Sequence, residues 1–324
     1  MEKLALHGGP KAKPTPYNTP NRYGDEERNL LNKAIDSGRL MGTDGMVADF
    51  ETEVARAFHV KHVIMVTSGT AALHTALCAL GVCEGDEVIT NPMTDMGTIG
   101  DAGGFSMNES KQMSSGDGGF ITTNDDETAR IARLFRDKTY VRDRKVTRGE
   151  QPVSFFATNY RPTALQAAVG IAQLHKLEAL VARRAAIVKQ YYHDLSGLSD
   201  LEFPHITSGS QPSYWPLAAR YTGDTPTRDE LAKALRAEGL RIDTGMAAVN
   251  NILRTELIQN KRYYPLTDTV PAFWRDTLYD PDSCPNVDAL VQTCLRLPVD
   301  ERYTDEDIDQ TISAVKKVWA HYFD

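Results

Sequence analysis

Four cysteines in 324 residues form no C-x-x-C pair, and no histidine stands at zinc-ligand spacing from them. There is therefore no disulfide framework and no zinc site on which to build a fold, and Cys78, Cys83, Cys284 and Cys294 read as reduced structural thiols. The eight histidines show no pairing at metal-ligand spacing, so no metal is expected. No apolar run approaches the roughly 18 residues that a membrane span requires. The first residues, MEKLALHGGPKAKPTPYNTP, hold too few consecutive apolar positions for a secretory signal. Positive charge is in deficit: 36 Lys+Arg stand against 44 Asp+Glu, a formal net charge of −8. Nucleic acid is thereby disfavoured as a main partner, because phosphate contacts along a duplex need clustered Lys and Arg. A local basic pocket for one small phosphate remains compatible with that balance. The expectation is a soluble, cytoplasmic protein.

What is present is an α/β pattern of a length that suits two domains, or one large α/β unit with an appendage. Residues 8–24, with paired Gly and scattered Pro, read as an extended, surface-following arm. Helical periodicity follows over about 25–37 and 47–58, the second with Phe50, Val54 and Phe58 on one face. HVIMVT, residues 62–67, is a short β-branched apolar run that suits a buried strand. Ser68-Gly69-Thr70 turns the chain into a helix striped by Leu73, Ala76, Leu77 and Leu80, and a second buried strand is predicted at 87–90. That order is a βαβ unit. Beyond Gly100, GGFSMNE and GGFITTN predict two short strands around the loop 110–118, then a helix over 126–136 capped by Asn124 or Asp125. Helical periodicity from Thr163 to about Leu195 would extend roughly 50 Å, a length that usually bridges domains. An α+β segment closes the chain: strands at 214–221 and 240–243, helices at 228–238 and 304–323.

Three places in this pattern carry chemistry. Gly69 and Thr70 open a helix, whose unpaired N–H groups and partial positive charge can hold a phosphate; Ser and Thr there are equally read as simple caps. Lys111 sits just past a strand in a Gly/Ser-rich loop, where an amine held at a pocket can attack a carbonyl, although a loop lysine is ordinarily just exposed. Ser106, five residues earlier at the strand end, can face the same pocket. Asn159 and Arg161 are polar groups at the start of the long helix, with Pro162 suited to its first turn; an ordinary N-cap explains them equally.

VTSGTAALHTALCALGVCEGDEVITNP, FSMNESKQMSSGDGGFITTNDDE and ATNYRPTALQAAVGIAQL resemble, in order, three signatures of the DegT/DnrJ/EryC1/StrS aminotransferases. LALHGGPKA and SGRLMGTDGMVADFE near the start, and CLRLPVDERYTDEDIDQTISAVKKV near the end, resemble the same family, so the likeness covers nearly the whole chain. It implies a fold-type I three-layer α/β domain with a mostly parallel sheet, incomplete in this sequence, and a smaller α+β domain. The expected division is 1–195, holding the arm and the long helix, and 196–324. By resemblance the cofactor is pyridoxal 5′-phosphate (PLP). Lys111 would hold it covalently and carry protons, and Ser106, Gly69 and Thr70 would bind its phosphate. Asn159 would reach the phosphate of the neighbouring subunit, implying a homodimer with shared sites. The substrates implied are an amino-acid donor, glutamine or glutamate, and a keto-sugar or cyclitol ketone, in amino-sugar or aminocyclitol biosynthesis of the kind that serves antibiotics. Arg161, Tyr160 and the segment 246–262 are candidate pocket walls.

Two departures stand out. An aromatic ring usually covers the cofactor where this chain has Met93, whose thioether can still lie on a ring face; the surrounding TDMGT resembles members that act on cyclitol ketones. More seriously, no E-D-A-x-Q-like run exists to supply the carboxylate that pairs with the pyridine nitrogen. Gly100 runs straight into Asp101, with roughly three βα units absent between them. Either residues between Gly100 and Asp101 are omitted from this sequence or the chain is genuinely deleted there; a genuine deletion is expected to open the sheet to water and to leave little transaminase activity. A catalytically inactive dimer partner is thus the alternative reading. The related sugar dehydrases, with His where the lysine stands, are disfavoured by Lys111.

Overall fold

The structure is a computed structural model that describes residues 2–88, 100–142, 146, 149–151, 153–245, 251–262, 265 and 269–324. The described residues within 23–178 form one unit by their internal contacts, and those within 2–22 and 179–324 form another. No helix among them is long and apolar enough to cross a membrane.

In the first unit, α1 (Asp25–Asp36) and α2 (Met46–Ala57) carry apolar residues at helical spacing, and α2 buries Val47, Phe50 and Val54. β1 (His62–Val66) leads into α3 (Gly69–Ala79); β2 (Ala102–Ser106) and β3 (Gly119–Thr123) follow, then α4 (Asp126–Arg136), capped by the Asp125 carboxylate on the Thr128 N–H. α5 (Ala164–Leu195) matches the predicted long helix. Strand alternation sets the layers. Val63 and Met65 of β1 pack with α2 and with Ala167 and Ile171 of α5, whereas Ile64 and Val66 pack with Ala71, Ala72 and Ala76 of α3 and Ala129 and Ala132 of α4. Both faces of the sheet are covered, which is why β1 reads as an unbroken apolar run.

The strand pairing differs from the mostly parallel sheet expected. Its order is β1-β3-β2, and both ladders are antiparallel. The chain leaves β2 and returns directly as β3, and such a short connection reverses direction; parallel character survives in the shared direction of β1 and β2. The strand expected at 87–90 is not found in its described half, since Glu87 and Val88 lie in no strand and residues 89–90 fall outside the described residues. Among the described residues β2 therefore has one neighbour, and only its Gly103 is buried, whereas all five residues of β3 are.

The second unit contains β4 (Leu201–Glu202), β5 (Leu217–Tyr221), α6 (Arg228–Ala237), the short helices α7 (Glu256–Gln259), α8 (Ala272–Arg275) and α9 (Pro285–Thr293), β6 (Cys294–Leu297) and α10 (Asp305–Phe323). β4, β5 and β6 form an antiparallel sheet, and the strand expected at 240–243 is reduced to a bridge between Asp243 and Arg296. Its core takes Ile187, Val188, Tyr191 and Leu195 from the end of α5. The N-terminal arm belongs to this core and does not merely follow its surface: Leu4 and Tyr17 are buried within it. Lys13, fully buried, donates to Asp307 Oδ1 at 2.6 Å, and the Glu238 carboxylate accepts from the Ala5 and Ala12 N–H groups. These contacts place the arm and residues from 179 onward in one unit, a division unlike the expected 1–195 and 196–324.

Candidate active site

The turn from β1 into α3 meets the end of β2. Ser68 caps α3, its Oγ accepting the Ala71 N–H at 3.1 Å, and the remaining N–H groups of the first turn stay available at the helix N-terminus. Gly69 lies so close to Ser106 that a Cβ there would stand 2.7 Å from the Ser106 Cβ and 3.2 Å from its Cα. Gly119 is equally constrained, since its Cβ would fall 2.4 Å from the Ser68 carbonyl oxygen. No side chain fits at either position, so the two glycines allow α3 and β2 to close on each other. Thr70 is exposed beside Gly69, and Ser106 is half-buried with its Oγ accepting the Asn108 N–H at 3.3 Å. The result is a small cradle of hydroxyls and main-chain N–H groups at a helix start, a chemistry suited to a phosphate.

Lys111 stands on the loop that leaves this cradle. The loop is closed at its base by hydrogen bonds from Met107 N–H to Gly118 O (2.8 Å) and from Ser115 N–H to Met107 O (3.0 Å). Met107 at its base and Met113 and Ser114 within it are buried, and Gln166 at the start of α5 donates to the Asp117 carbonyl at 2.9 Å. Asn108 shapes the turn, its side-chain oxygen accepting from Ser110 N–H and its carbonyl from Lys111 N–H. Lys111 is thus half-buried on an anchored loop close in sequence to Ser106, and not on a free one.

Asn159 lies on a different piece of chain, exposed and bridged to Asp137 at the end of α4. Asp137 is 2 % exposed and takes hydrogen bonds from Arg161 and from Arg142, the latter at 2.5 and 2.8 Å. Burial alone would push its carboxyl up, but the two guanidinium groups outweigh that and hold it below the usual range. Arg161 therefore serves as a structural anchor of this segment. Tyr160 Oη lies 3.0 Å from His74 Nδ1 of α3.

Gly69, Thr70 and Ser106 are thus brought together, with Lys111 on the adjoining loop. Asn159 stands apart at the α4 terminus, and Met93 lies outside the described residues, as does 246–250 of the segment expected to wall the pocket. A cavity of about 400 Å³ is lined by Glu51, Arg133, Arg136, Asp137, Tyr140 and Arg142 among others, but by none of the five described candidates. Sequence reasoning missed Asp137, His74 and Gly119. The doubled glycine after the loop was a visible signal for Gly119; nothing local marks the other two.

A sequence profile of the DegT/DnrJ/EryC1/StrS aminotransferase family matches residues 21–98, 94–247 and 241–316. The first two matches overlap at 94–98, immediately before Gly100 and Asp101. GDP-perosamine synthase of Caulobacter vibrioides is 25% identical over 386 aligned positions, covering 92% of this chain and 96% of that protein. Those 386 positions exceed the 324 residues here, so the relative carries chain without a counterpart in this sequence. An aminotransferase structure from Psychrobacter cryohalolentis superimposes with a TM-score of 0.80 at 20% identity, covering 95% of this chain and all of that one. NtdA from Bacillus subtilis, solved with bound cofactor PMP, gives 0.73 at 17% identity over 91% and 82% of the two chains. With profile matches running from residue 21 to 316, the chain belongs to the DegT/DnrJ/EryC1/StrS aminotransferase family.

Proposed function

We propose that this chain is a PLP-dependent aminotransferase that moves an amino group from glutamine or glutamate to a keto-sugar or cyclitol ketone, acting as a homodimer with shared sites. The observation that carries the reading is the contact of Gly69 with Ser106, which sets the N-terminus of α3 against the strand end that leads to Lys111. The cofactor phosphate fits this cradle, because the hydroxyls of Thr70 and Ser106 and the first-turn N–H groups offer donors where a side chain at Gly69 would fill the space. When bound, PLP supplies an electron sink for the carbon that loses its proton. Lys111 holds the cofactor through Nζ, gives way to the amine of the donor, and then carries the proton between the two carbons that exchange it. Asn159 serves the phosphate of the partner chain. The relative from Caulobacter, a GDP-perosamine synthase, supports an amino-sugar product; the TDMGT segment favours a cyclitol ketone instead, and a protein of Micromonospora echinospora that carries the name of a scyllo-inosose aminotransferase is also similar.

Purified protein mixed with PLP is expected to develop a Lys111-dependent absorbance band that Lys111→Ala abolishes. Addition of glutamine or glutamate should then convert the band to that of the aminated cofactor. A wild-type protein with no such band would contradict the proposal. A second reading, an inactive partner subunit, draws on the single neighbour of β2 among the described residues and on the extra chain that the Caulobacter relative carries. It predicts a Lys111-dependent band that neither amino acid converts.

A further inference from the structure

The segment that carries Asn159 is fixed against the end of α4 by its main chain and by Arg161 on Asp137, and against α3 by Tyr160. Thr158 N–H donates to Phe135 O (3.0 Å), Tyr160 N–H to Arg136 O (2.9 Å), and Lys138 N–H to Thr158 O (2.9 Å), so the backbone lies along the end of α4. Tyr160 then crosses to α3, with its hydroxyl 3.0 Å from His74 Nδ1. The rings of His74 and Tyr160 both meet Phe135 edge-on, at 5.1 and 6.4 Å between centroids, and Phe135 is buried. His74 follows Thr70 by one helical turn and lies on the same face of α3. Neighbouring residues of an extended segment point to opposite sides. With Tyr160 turned to α3, Asn159 is directed the other way, and it is exposed.

We propose that His74 and Tyr160 are a positioning pair: their hydrogen bond registers the Asn159 segment against α3, so that each chain presents Asn159 to the cofactor phosphate held by its partner. The inference rests on the shared-site reading above. It assigns the pair an effect in trans, on the partner's cofactor, and none on the cofactor of the chain that carries it.

Two hybrid dimers separate these effects, each with only one Lys111. In the first, one chain carries Tyr160→Phe and Lys111→Ala together and the other is wild type, so the intact site receives Asn159 from the altered chain. In the second, Tyr160→Phe and Lys111→Ala lie on different chains, and the intact site receives Asn159 from a chain with Tyr160 in place. Titration with PLP, read by the Lys111-dependent absorbance, is expected to give about five- to tenfold weaker binding in the first hybrid, the worth of one positioning hydrogen bond. The second should match a hybrid with Tyr160 on both chains. His74→Leu should reproduce the pattern, and His74→Gln, which retains a polar partner for the hydroxyl, should restore much of the binding. Any general loss of folding affects both hybrids alike, so equal weakening, weakening of the second alone, or no weakening would each overturn the proposal. A wild-type protein without a Lys111-dependent band would overturn the aminotransferase reading itself, and this inference with it.

Discussion

At Gly69 the space for one methyl group decides whether the cradle exists. Gly69→Ala would drive a Cβ to 2.7 Å from Ser106 Cβ with strand backbone directly behind it, so neither side can yield cheaply. We expect the change to cost about 1–3 kcal/mol of stability and to weaken PLP binding, measurable by denaturant unfolding and by absorbance titration. Asp137 is the second decisive residue, because it neutralises two guanidinium groups while almost wholly buried. Asp137→Ala would leave the half-buried Arg161 guanidinium without its partner, a loss of about 1–3 kcal/mol, again read by denaturant unfolding. Gly69 stands out in the sequence only as part of the turn into a helix, and Asp137 does not stand out at all. Gly69 is one small residue at a helix start, and Asp137 follows an arginine in what reads as a solvated helix end. Only the partners that the fold brings near, Ser106 and Arg161, give them their weight.

Elements were legible where local pattern and burial agree. β1, α3, α4 and α5 follow from apolar runs and stripes, and the cap of α4 from an Asp at the right offset. β6 was missed because Cys-Leu-Arg-Leu is four residues long with no β-branched side chain, and β4 because its two residues, one of them the core residue Leu201, are too few to show a period. The arm was misread for a different reason. Its Gly and Pro suggest a surface path, yet Lys13 and Tyr17 find Asp307 and Thr311 of α10, at the far end of the sequence. Removing the charge of one buried partner strands the other, so Lys13→Ala should destabilise the unit holding α10 by about 3 kcal/mol or more, visible as a lower unfolding midpoint in urea. Between α1 and α5, Glu27 accepts hydrogen bonds from Lys176 (2.6 and 2.8 Å), Gln173 (2.8 Å) and the Gly24 N–H (2.7 Å). Burial raises its carboxyl, but these donors prevail and hold it down to about 2. A depressed carboxylate contributes its stability above its unfolded pKa, near 4.3, and loses it as pH falls toward the folded value. Between about pH 5 and pH 2 wild type should therefore lose stability more steeply than Glu27→Gln, as followed by thermal unfolding at stepped pH.

On the scale of the whole molecule, the family was readable because three signatures stand in order along the chain. The length acquires meaning only beside relatives: an alignment longer than the chain shows that the family pattern is shortened here. The structure adds that β2, which carries the residues leading to Lys111, has one neighbour among the described residues. The cradle and the lysine loop are nonetheless assembled from parts on both sides of the Gly100–Asp101 junction, α3 before it and β2 after it. The central claim is that this assembly holds PLP on Lys111. Reduction of the PLP-loaded protein with borohydride, followed by mass spectrometry of its peptides, tests it most directly. The account predicts a phosphopyridoxyl group on Lys111 that is absent from Lys111→Ala. An unmodified Lys111, or a group distributed over other lysines, would contradict it.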